Sequence, residues 1–290
     1  MHFLKTAYIF CVLMMMASMG AAQNIIDIKT ITAGLLAGKD SSTKIIIRSI
    51  TISGNKKTKE YIIRREMQLK TGDTVNAGSF NDELQKLQQQ VYNTNLFLEV
   101  NPELTEIAPG VVGINLAVKE RWYIFPIPKF QLIDRNINEW IQKYKADLDR
   151  VVYGVKFTHY NLTGHRDLLR LTLLNGFTRN ISFTYFKPVS EKKLNNGFSA
   201  TGGIVQNREF IYKIDTTNKP VLFNNGNFSR KNYFVGVGYN FRKNIMGTHY
   251  FNIVFNHVSV VDSLIDPKYN PNYFKDAVTH KNYLDFSYTY

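Results

Sequence analysis

The spacing of hydrophobic and polar residues changes along the chain at Trp122. Between residues 45 and 120, apolar side chains first alternate, then recur every three or four positions, and then alternate again. Alternation predicts β-strands, and the longer spacing predicts amphipathic helices. Trp122 and the residues after it show only alternation, and they carry 32 of the 39 aromatic side chains. The pattern therefore predicts a mixed α+β segment followed by an all-β segment.

The pattern over residues 45–120 predicts the element order βααββ. Its three strands are expected to differ in their exposure to solvent. Its first strand is expected to place three isoleucines on one face, Ile46, Ile50 and Ile52. The second strand, residues 96–104, contains Pro102, and because proline has no N–H to donate, this strand is expected at a sheet edge. The last strand has one apolar face that needs helices as cover; that face holds Val112, Ile114, Leu116 and Val118.

Two helices are predicted between the first and second strands. Thr58 is expected to cap the first helix. Ser79 and Asp82 resemble a capping box at the start of the second helix. The side chains that the two helices are expected to bury are Ile62, Ile63, Met67, Phe80, Leu84, Leu87 and Val91.

The all-β segment predicts eight strands with one apolar face. The strands are expected near residues 122–132, 151–160, 166–174, 177–187, 197–207, 232–242, 248–260 and 281–290. Such alternation fits either a soluble β-sandwich or a transmembrane barrel. The connections are long at one end of the strands and shorter at the other, apart from one tight turn at Asn175 and Gly176, and this distribution favours the barrel. The residues expected to face lipid are Ile181, Phe183, Tyr185, Tyr239, Phe251, Phe255, Phe286 and Tyr288.

The first residues predict export from the cytoplasm. An apolar run that follows Lys5 and ends in small residues predicts a signal peptide over residues 1–22, followed by a linker over residues 23–44. A retained membrane anchor is the alternative, but the run is barely long enough to span a bilayer. The only cysteine, Cys11, lies inside this run, so the mature chain is expected to lack disulfides. The formal net charge is +13, but the basic residues form no recognised nucleic-acid motif, so no nucleic-acid partner is expected.

Residues 45–120 resemble a POTRA domain, the polypeptide-transport-associated module of bacterial outer membranes. The resemblance rests on Ile50, Ile52, Gly54, Asn55, Thr58, Gly72, Asp73, the helix end near Tyr92, Phe97, Val100, Val118, Lys119 and Glu120. Before Phe97, where the family often has a glycine, this sequence has Asn95, which tolerates the same left-handed backbone. The resemblance implies a periplasmic domain that receives unfolded outer-membrane or secreted polypeptides.

Residues 121–290 are similar to the N-terminal part of a BamA/TamA-type outer-membrane assembly or translocation barrel, of the bacterial surface antigen superfamily. The similarity rests on residues 118–130, 154–173 and 182–188. Members of that family close a sixteen-stranded transmembrane barrel with an Arg-Gly-aromatic motif in a lumen loop, but this sequence has no Arg-Gly dipeptide. The eight strands predicted here are therefore interpreted as an incomplete sixteen-stranded barrel from a truncated product. A complete small barrel is the alternative, since eight strands are the minimum for closure.

The sequence favours polypeptide binding over enzyme activity. The histidines have no metal-ligand spacing and the serines lack a nucleophile-elbow context, so no enzyme activity, cofactor or metal is expected. A sheet edge can add an extended peptide as an extra strand. The candidate polypeptide-binding residues on the predicted edge are Leu96, Phe97, Leu98, Val100 and Leu104. The alternative is that Pro102 and Glu103 simply protect this edge.

These features predict a component of outer-membrane protein assembly or polypeptide translocation. Its expected location is the bacterial outer membrane, with the POTRA domain in the periplasm. The expected partners are unfolded polypeptides, outer-membrane lipid, and periplasmic or lipoprotein accessory subunits. The alternative function is a small complete eight-stranded barrel, structural or pore-forming, with a periplasmic tether.

Overall fold

A computed structural model of the 290-residue chain describes residues 32, 34–134, 136–188, 196–218, 220–244, 247–266 and 278–290. The predicted signal peptide, residues 1–22, lies outside these residues, as do residues 23–31 and 33 of the predicted linker. The chain divides into two compact units. The first contains residues up to 56 together with 63–121, and the second contains residues 57–62 and 122–290.

The first unit is built on a four-stranded sheet. Its strands are β1 (Lys44–Ser53), β2 (Thr74–Asn76), β3 (Phe97–Ala108) and β4 (Val111–Glu120), in the order β2-β1-β4-β3. Strands β1 and β4 are parallel, and the other two pairs are antiparallel. Helix α2 (Ala77–Tyr92) belongs to this unit, whereas α1 (Glu60–Glu66) begins in residues 57–62 and only its remainder belongs to this unit. The predicted βααββ order is therefore present, with the three-residue strand β2 added.

The first strand buries a set of isoleucines that differs from the one that simple alternation predicts. Its pairing with β4 shifts between Ile47 and Ser49, as at a β-bulge. A bulge moves the following side chains to the opposite face. The buried residues are consequently Ile45, Ile47 and Ile50, whereas Ile46 is 44% exposed. The prediction for Ile46 was wrong for this reason.

The helices bury the predicted side chains, but α2 begins earlier than expected. Asn76, not Ser79, occupies the N-cap position, and Asn76 makes no side-chain capping hydrogen bond. The Ser79 hydroxyl instead donates to the Asn76 carbonyl at 3.2 Å. All seven predicted apolar residues are at most 5% exposed, namely Ile62, Ile63, Met67, Phe80, Leu84, Leu87 and Val91.

The second unit contains an eight-stranded antiparallel sheet. Its strands are β5 (Ile124–Leu132), β6 (Val151–Tyr160), β7 (Leu168–Gly176), β8 (Thr178–Lys187), β9 (Asn196–Asn207), β12 (Arg230–Asn244), β13 (Gly247–Val260) and β14 (His280–Thr289). A separate hairpin of β10 (Phe210–Ile214) and β11 (Pro220–Phe223) lies between β9 and β12. Helix α3 (Ile137–Gln142) lies between β5 and β6. All eight predicted strands are present, but the hairpin and α3 were not predicted.

Consecutive strands of the large sheet are neighbours, in the order β14-β13-β12-β9-β8-β7-β6-β5. Strands β5 and β14 therefore lie at opposite edges, and no pairing joins them within the described residues. A closed eight-stranded barrel requires that pairing. The sheet is open, so the alternative of a complete small barrel does not describe this structure.

One close backbone contact in the first unit depends on a glycine. Gly54 follows β1 with φ +87°, and a Cβ atom there would lie 2.0 Å from the Val118 carbonyl oxygen. Gly72 also has a positive φ, +95°, but a Cβ atom there would have no neighbouring atom within 4 Å. Alanine at Gly72 would therefore meet only the cost of a left-handed backbone, whereas alanine at Gly54 would meet that cost and a steric clash.

We expect Gly72→Ala to lower the free energy of unfolding by about 1 kcal/mol, because only the left-handed backbone is penalised. Gly54→Ala should lower it by about 3 kcal/mol or more, because the β1 and β4 backbones must also move apart. Hydrogen exchange of the β1 and β4 amides in the 290-residue chain measures both effects. Equal losses in the two variants would contradict the steric explanation.

Candidate functional site

Strand β3 forms a long open edge of the first sheet. It pairs with β4 on one side, and no strand pairs with its other side in the described residues. The opposite edge is β2, which has only three residues, whereas β3 has twelve. The predicted position of this strand at a sheet edge is therefore confirmed.

The side chains proposed for this edge differ in their access to solvent. Leu96, Phe97 and Val100 are 3%, 4% and 3% exposed, so they belong to the core of the first unit. Leu104 is half-buried, and Leu98 is 41% exposed. Because three of the five are buried, a ligand on this edge would contact mainly backbone groups.

The position of Pro102 indicates which backbone groups point outward. In an antiparallel pair, neighbouring residues alternate between bonding the partner strand and pointing away from it. Proline has no N–H, so it fits where that group would face away from β4. The pairing with β4 is regular from Glu99 to Glu106. Val100 and Leu104 therefore share the outward orientation of Pro102.

A contact from α2 agrees with this assignment. The Gln88 side-chain amide donates to the Val100 carbonyl at 2.6 Å. An outward carbonyl is available to such a donor, because β4 does not occupy it. The open edge thus presents the N–H groups of Val100 and Leu104 on either side of Pro102.

The large sheet of the second unit has one apolar face. Directly opposed residues of neighbouring strands lie on the same face. A row across the middle of the sheet contains Pro126, Phe157, Leu171, Phe183, Gly202, Val235, Phe255 and Leu284. The adjacent row on this face contains Ile124, His159, Leu169, Tyr185, Ala200, Val237, Ile253 and Phe286. We call this surface the apolar face.

Most of the residues predicted to face lipid are exposed on the apolar face. Seven of them are between 41% and 71% exposed, namely Ile181, Phe183, Tyr239, Phe251, Phe255, Phe286 and Tyr288. Tyr185 is half-buried, and its hydroxyl donates to Asp167 at 3.0 Å. Aromatic rings meet near one end of the face, where Phe251 and Tyr288 lie 4.9 Å apart.

The other face of the sheet is polar and crowded. One of its rows contains Phe125, Thr158, Arg170, Thr184, Thr201, Gly236, Val254 and Asp285. The Asn256 amide donates to Asp285 at 2.9 Å. A Cβ atom at Gly238 would lie 2.2 Å from both Ser199 Oγ and Asn252 Oδ1. Small residues therefore make room for polar neighbours on this face.

The seven-residue turn between β6 and β7 contains a polar network that the sequence did not predict. The Asn161 side chain accepts from the Arg166 N–H at 2.9 Å and donates to the Thr58 hydroxyl at 2.9 Å. The Asp167 carboxylate accepts from the Thr163 N–H at 2.9 Å and from Tyr185. Asn161 and Asp167 are each 1% exposed. These hydrogen bonds therefore satisfy the buried side chains of Asn161 and Asp167 and fix their positions.

The same turn requires a glycine beside residue 57. Gly164 has φ +84°, and a Cβ atom there would lie 2.3 Å from the Lys57 carbonyl oxygen. The Gly164 carbonyl also accepts from the Lys59 N–H at 3.0 Å. Residues 57–62 belong to the same compact unit as the turn. Thr58, which the sequence suggested only as a helix cap, thus bonds Asn161 within the second unit.

The described residues contain neither a metal-binding group nor a membrane-spanning helix. Across the part of the chain that the structure describes, no three His, Cys, Asp or Glu side chains are grouped to bind a metal ion. In the same residues, no helix combines the length and the apolar character needed to traverse a bilayer.

Comparison with known proteins gives a family match for residues 45–121. Residues 45–121 match the POTRA family, described as surface antigen variable number repeat. No curated protein matches the chain.

Several solved structures resemble the chain at low sequence identity. BamA from Haemophilus ducreyi lacking POTRA domains 1–3 is 14% identical, with a TM-score of 0.49 over 84% of this chain and 42% of that one. CdiB from Acinetobacter baumannii is 14% identical, with a TM-score of 0.41 over 76% of this chain and 39% of that one. The chain thus spans about two fifths of the length of these proteins. Residues 45–121 of this chain form a POTRA domain, and an eight-stranded antiparallel sheet follows it.

Proposed function

We propose that this chain takes part in outer-membrane protein assembly or polypeptide translocation, without catalysing a reaction. The POTRA domain binds extended polypeptide along β3 in the periplasm, and the eight-stranded sheet lies in the outer membrane. The observation that carries the proposal is a POTRA domain with an open twelve-residue edge strand, followed by a sheet with one apolar face.

Binding along β3 is supported by the backbone groups at its outer edge. An added strand gains main-chain hydrogen bonds whatever its side chains are. This suits a partner that must accept many different unfolded chains. Gln88 already donates to the Val100 carbonyl, so an arriving strand must share or displace that contact. The N–H groups of Val100 and Leu104 then set the register of the added strand around Pro102.

Membrane insertion is supported by the apolar face and by the size of its side chains. A soluble protein rarely exposes a continuous apolar surface of this extent. The rows that contain Phe183 and Val237 run across all eight strands. Unpaired backbone groups are costly in lipid, so the edges at β5 and β14 must meet further strands there. We therefore include such strands in the proposal.

Two substitutions on β3 should change peptide binding in opposite directions. Leu104→Pro removes an outward N–H but leaves the pairing with β4 intact, whereas Pro102→Val adds an outward N–H. Each hydrogen bond contributes about 0.5–1.5 kcal/mol, so the affinity should fall or rise roughly two- to tenfold. Fluorescence anisotropy of a labelled peptide with the sequence of residues 281–290, titrated with the 290-residue chain, measures both changes.

The control for this experiment changes an exposed side chain on the same strand. Leu98→Ala alters an exposed side chain on β3 without removing a backbone donor, so it should change the affinity less than either proline variant. If both variants at positions 102 and 104 bind the peptide as the unmodified chain does, strand addition along β3 is wrong.

Neighbouring residues on opposite faces of β8 test membrane insertion. Phe183→Lys places a charge on the apolar face and should lower the stability of the chain in phosphatidylcholine vesicles by about 2–4 kcal/mol. Thr184→Lys places the same charge on the polar face and should have a much smaller effect. Urea titration of the vesicle-bound chain measures the difference. Equal sensitivity at the two positions would contradict a lipid-facing apolar face.

A further inference from the structure

Hydrogen bonds join the two ends of the connection between β5 and β6. The Arg150 guanidinium donates to both carboxylate oxygens of Asp134, with its Nε atom 3.0 and 2.9 Å from them. The Ile133 N–H also donates to the Arg150 carbonyl at 3.2 Å. Arg150 lowers the pKa of Asp134 below its ordinary value through this hydrogen bond, so the pair stays ionised at neutral pH. The ion pair and the backbone hydrogen bond therefore hold the two ends of the loop together.

Helix α3, within this loop, has an apolar side on which two isoleucines are exposed and a tryptophan is half-buried. Ile137, Trp140 and Ile141 are spaced at i, i+3 and i+4, so they share one side of the helix. Ile137 is 53% exposed and Ile141 is 51% exposed. The opposite side is polar, and there the Glu139 carboxylate accepts from Lys143 at 3.2 Å. The helix is amphipathic but does not bury its apolar side in the protein.

This apolar side continues into the apolar face of the large sheet. The Trp140 ring meets the Phe130 ring edge to face at 6.0 Å. Phe130 opposes Tyr153, which lies two residues from Val155 on the apolar face. Phe130 is 60% exposed, and the loop adds Leu148, which is 54% exposed. One continuous apolar surface therefore extends from the sheet onto α3.

Polar groups around α3 suit a position at the boundary of a membrane. The Trp140 indole N–H donates to the Asp147 carbonyl at 2.8 Å, so burial of the ring leaves no donor unpaired. Lys143 and Lys145 follow the helix, and both are exposed. Lysine side chains can reach phosphate headgroups while their stems lie along apolar surface. Tryptophan likewise concentrates at membrane interfaces.

We propose that residues 136–150 form a lipid-interface anchor, in which α3 lies along the boundary between headgroups and acyl chains. Ile137, Trp140 and Ile141 enter the acyl region, and Lys143 and Lys145 meet lipid phosphates. The occupant of the uncovered side is lipid because that side is continuous with the apolar face. The inference rests on the proposed membrane location of the sheet.

The tryptophan content of the chain makes this anchor directly measurable. The chain has two tryptophans, so Trp122→Phe leaves Trp140 as its single indole. In vesicles of brominated phosphatidylcholine, Trp140 emission should shift to shorter wavelength and lose most of its intensity. Bromines high on the acyl chain should quench it more than deep ones, because an interfacial helix enters only about 5–10 Å.

Paired variants separate the two sides of the helix. In the Trp122→Phe background, Ile137→Lys with Ile141→Lys should abolish the quenching, because two charges then face the acyl region. Asn138→Lys with Gln142→Lys adds the same charges at the same spacing on the polar side and should preserve it. Quenching that both pairs retain, or that both lose, would overturn the orientation proposed for α3.

A second reporter distinguishes failure of the anchor from failure of the membrane location. A chain with Trp122→Phe, Trp140→Phe and Phe183→Trp reports on the middle of the apolar face. Quenching of the reporter at 183 without quenching of Trp140 would overturn the anchor and leave the proposed function standing. Absence of both would overturn both. If Trp140 is shielded from aqueous acrylamide but not quenched by brominated lipid, protein covers α3 and the lipid assignment is wrong.

Discussion

Directly opposed residues in an antiparallel sheet lie on the same face, and the second unit of this chain is organised by that constraint. Each strand alternates apolar and polar side chains, but only a consistent register across all eight strands turns the alternation into two distinct surfaces. A slip of one residue in β8 would exchange Phe183 for Thr184 in the central row. The crowded glycines of the polar face, such as Gly238, leave room for neighbouring polar side chains in this register. The apolar face and its continuation onto α3 both depend on this arrangement.

Much of the fold was predictable because period-two alternation survives in each strand. All eight strands were found within a few residues of their bounds, and Pro102 correctly indicated an edge. The errors arose where geometry departs from the simple period. A bulge after Ile47 changed the face of later residues, and three-residue β2 is too short to show a pattern. Helix α3 has only six residues, so its apolar side spans too few turns for a periodic signal.

The candidate sites were predictable in position but not in detail. The sequence indicated the edge strand, yet it could not show that Phe97 and Val100 turn their side chains into the core. Alternation gives the two faces of a strand, whereas burial depends on what packs against each. The left-handed backbone expected at Asn95 is present, with φ +60°. Asn161 also has positive φ, but its bond to Thr58 joins residues more than 100 positions apart, and no local pattern records such a contact.

The most direct test of the account is residue-resolved hydrogen exchange of β3 in the 290-residue chain, with and without a saturating extended peptide. The amides of Val100 and Leu104 point away from β4, so they should exchange readily in the free chain and become protected when a strand is added. The amides of Asn101 and Glu103 already bond β4 and should change little. Protection at Val100 and Leu104, without a change at Asn101 and Glu103, is the predicted result. Protection that is absent from these two amides, while the peptide is bound, would contradict polypeptide capture by strand addition at this edge.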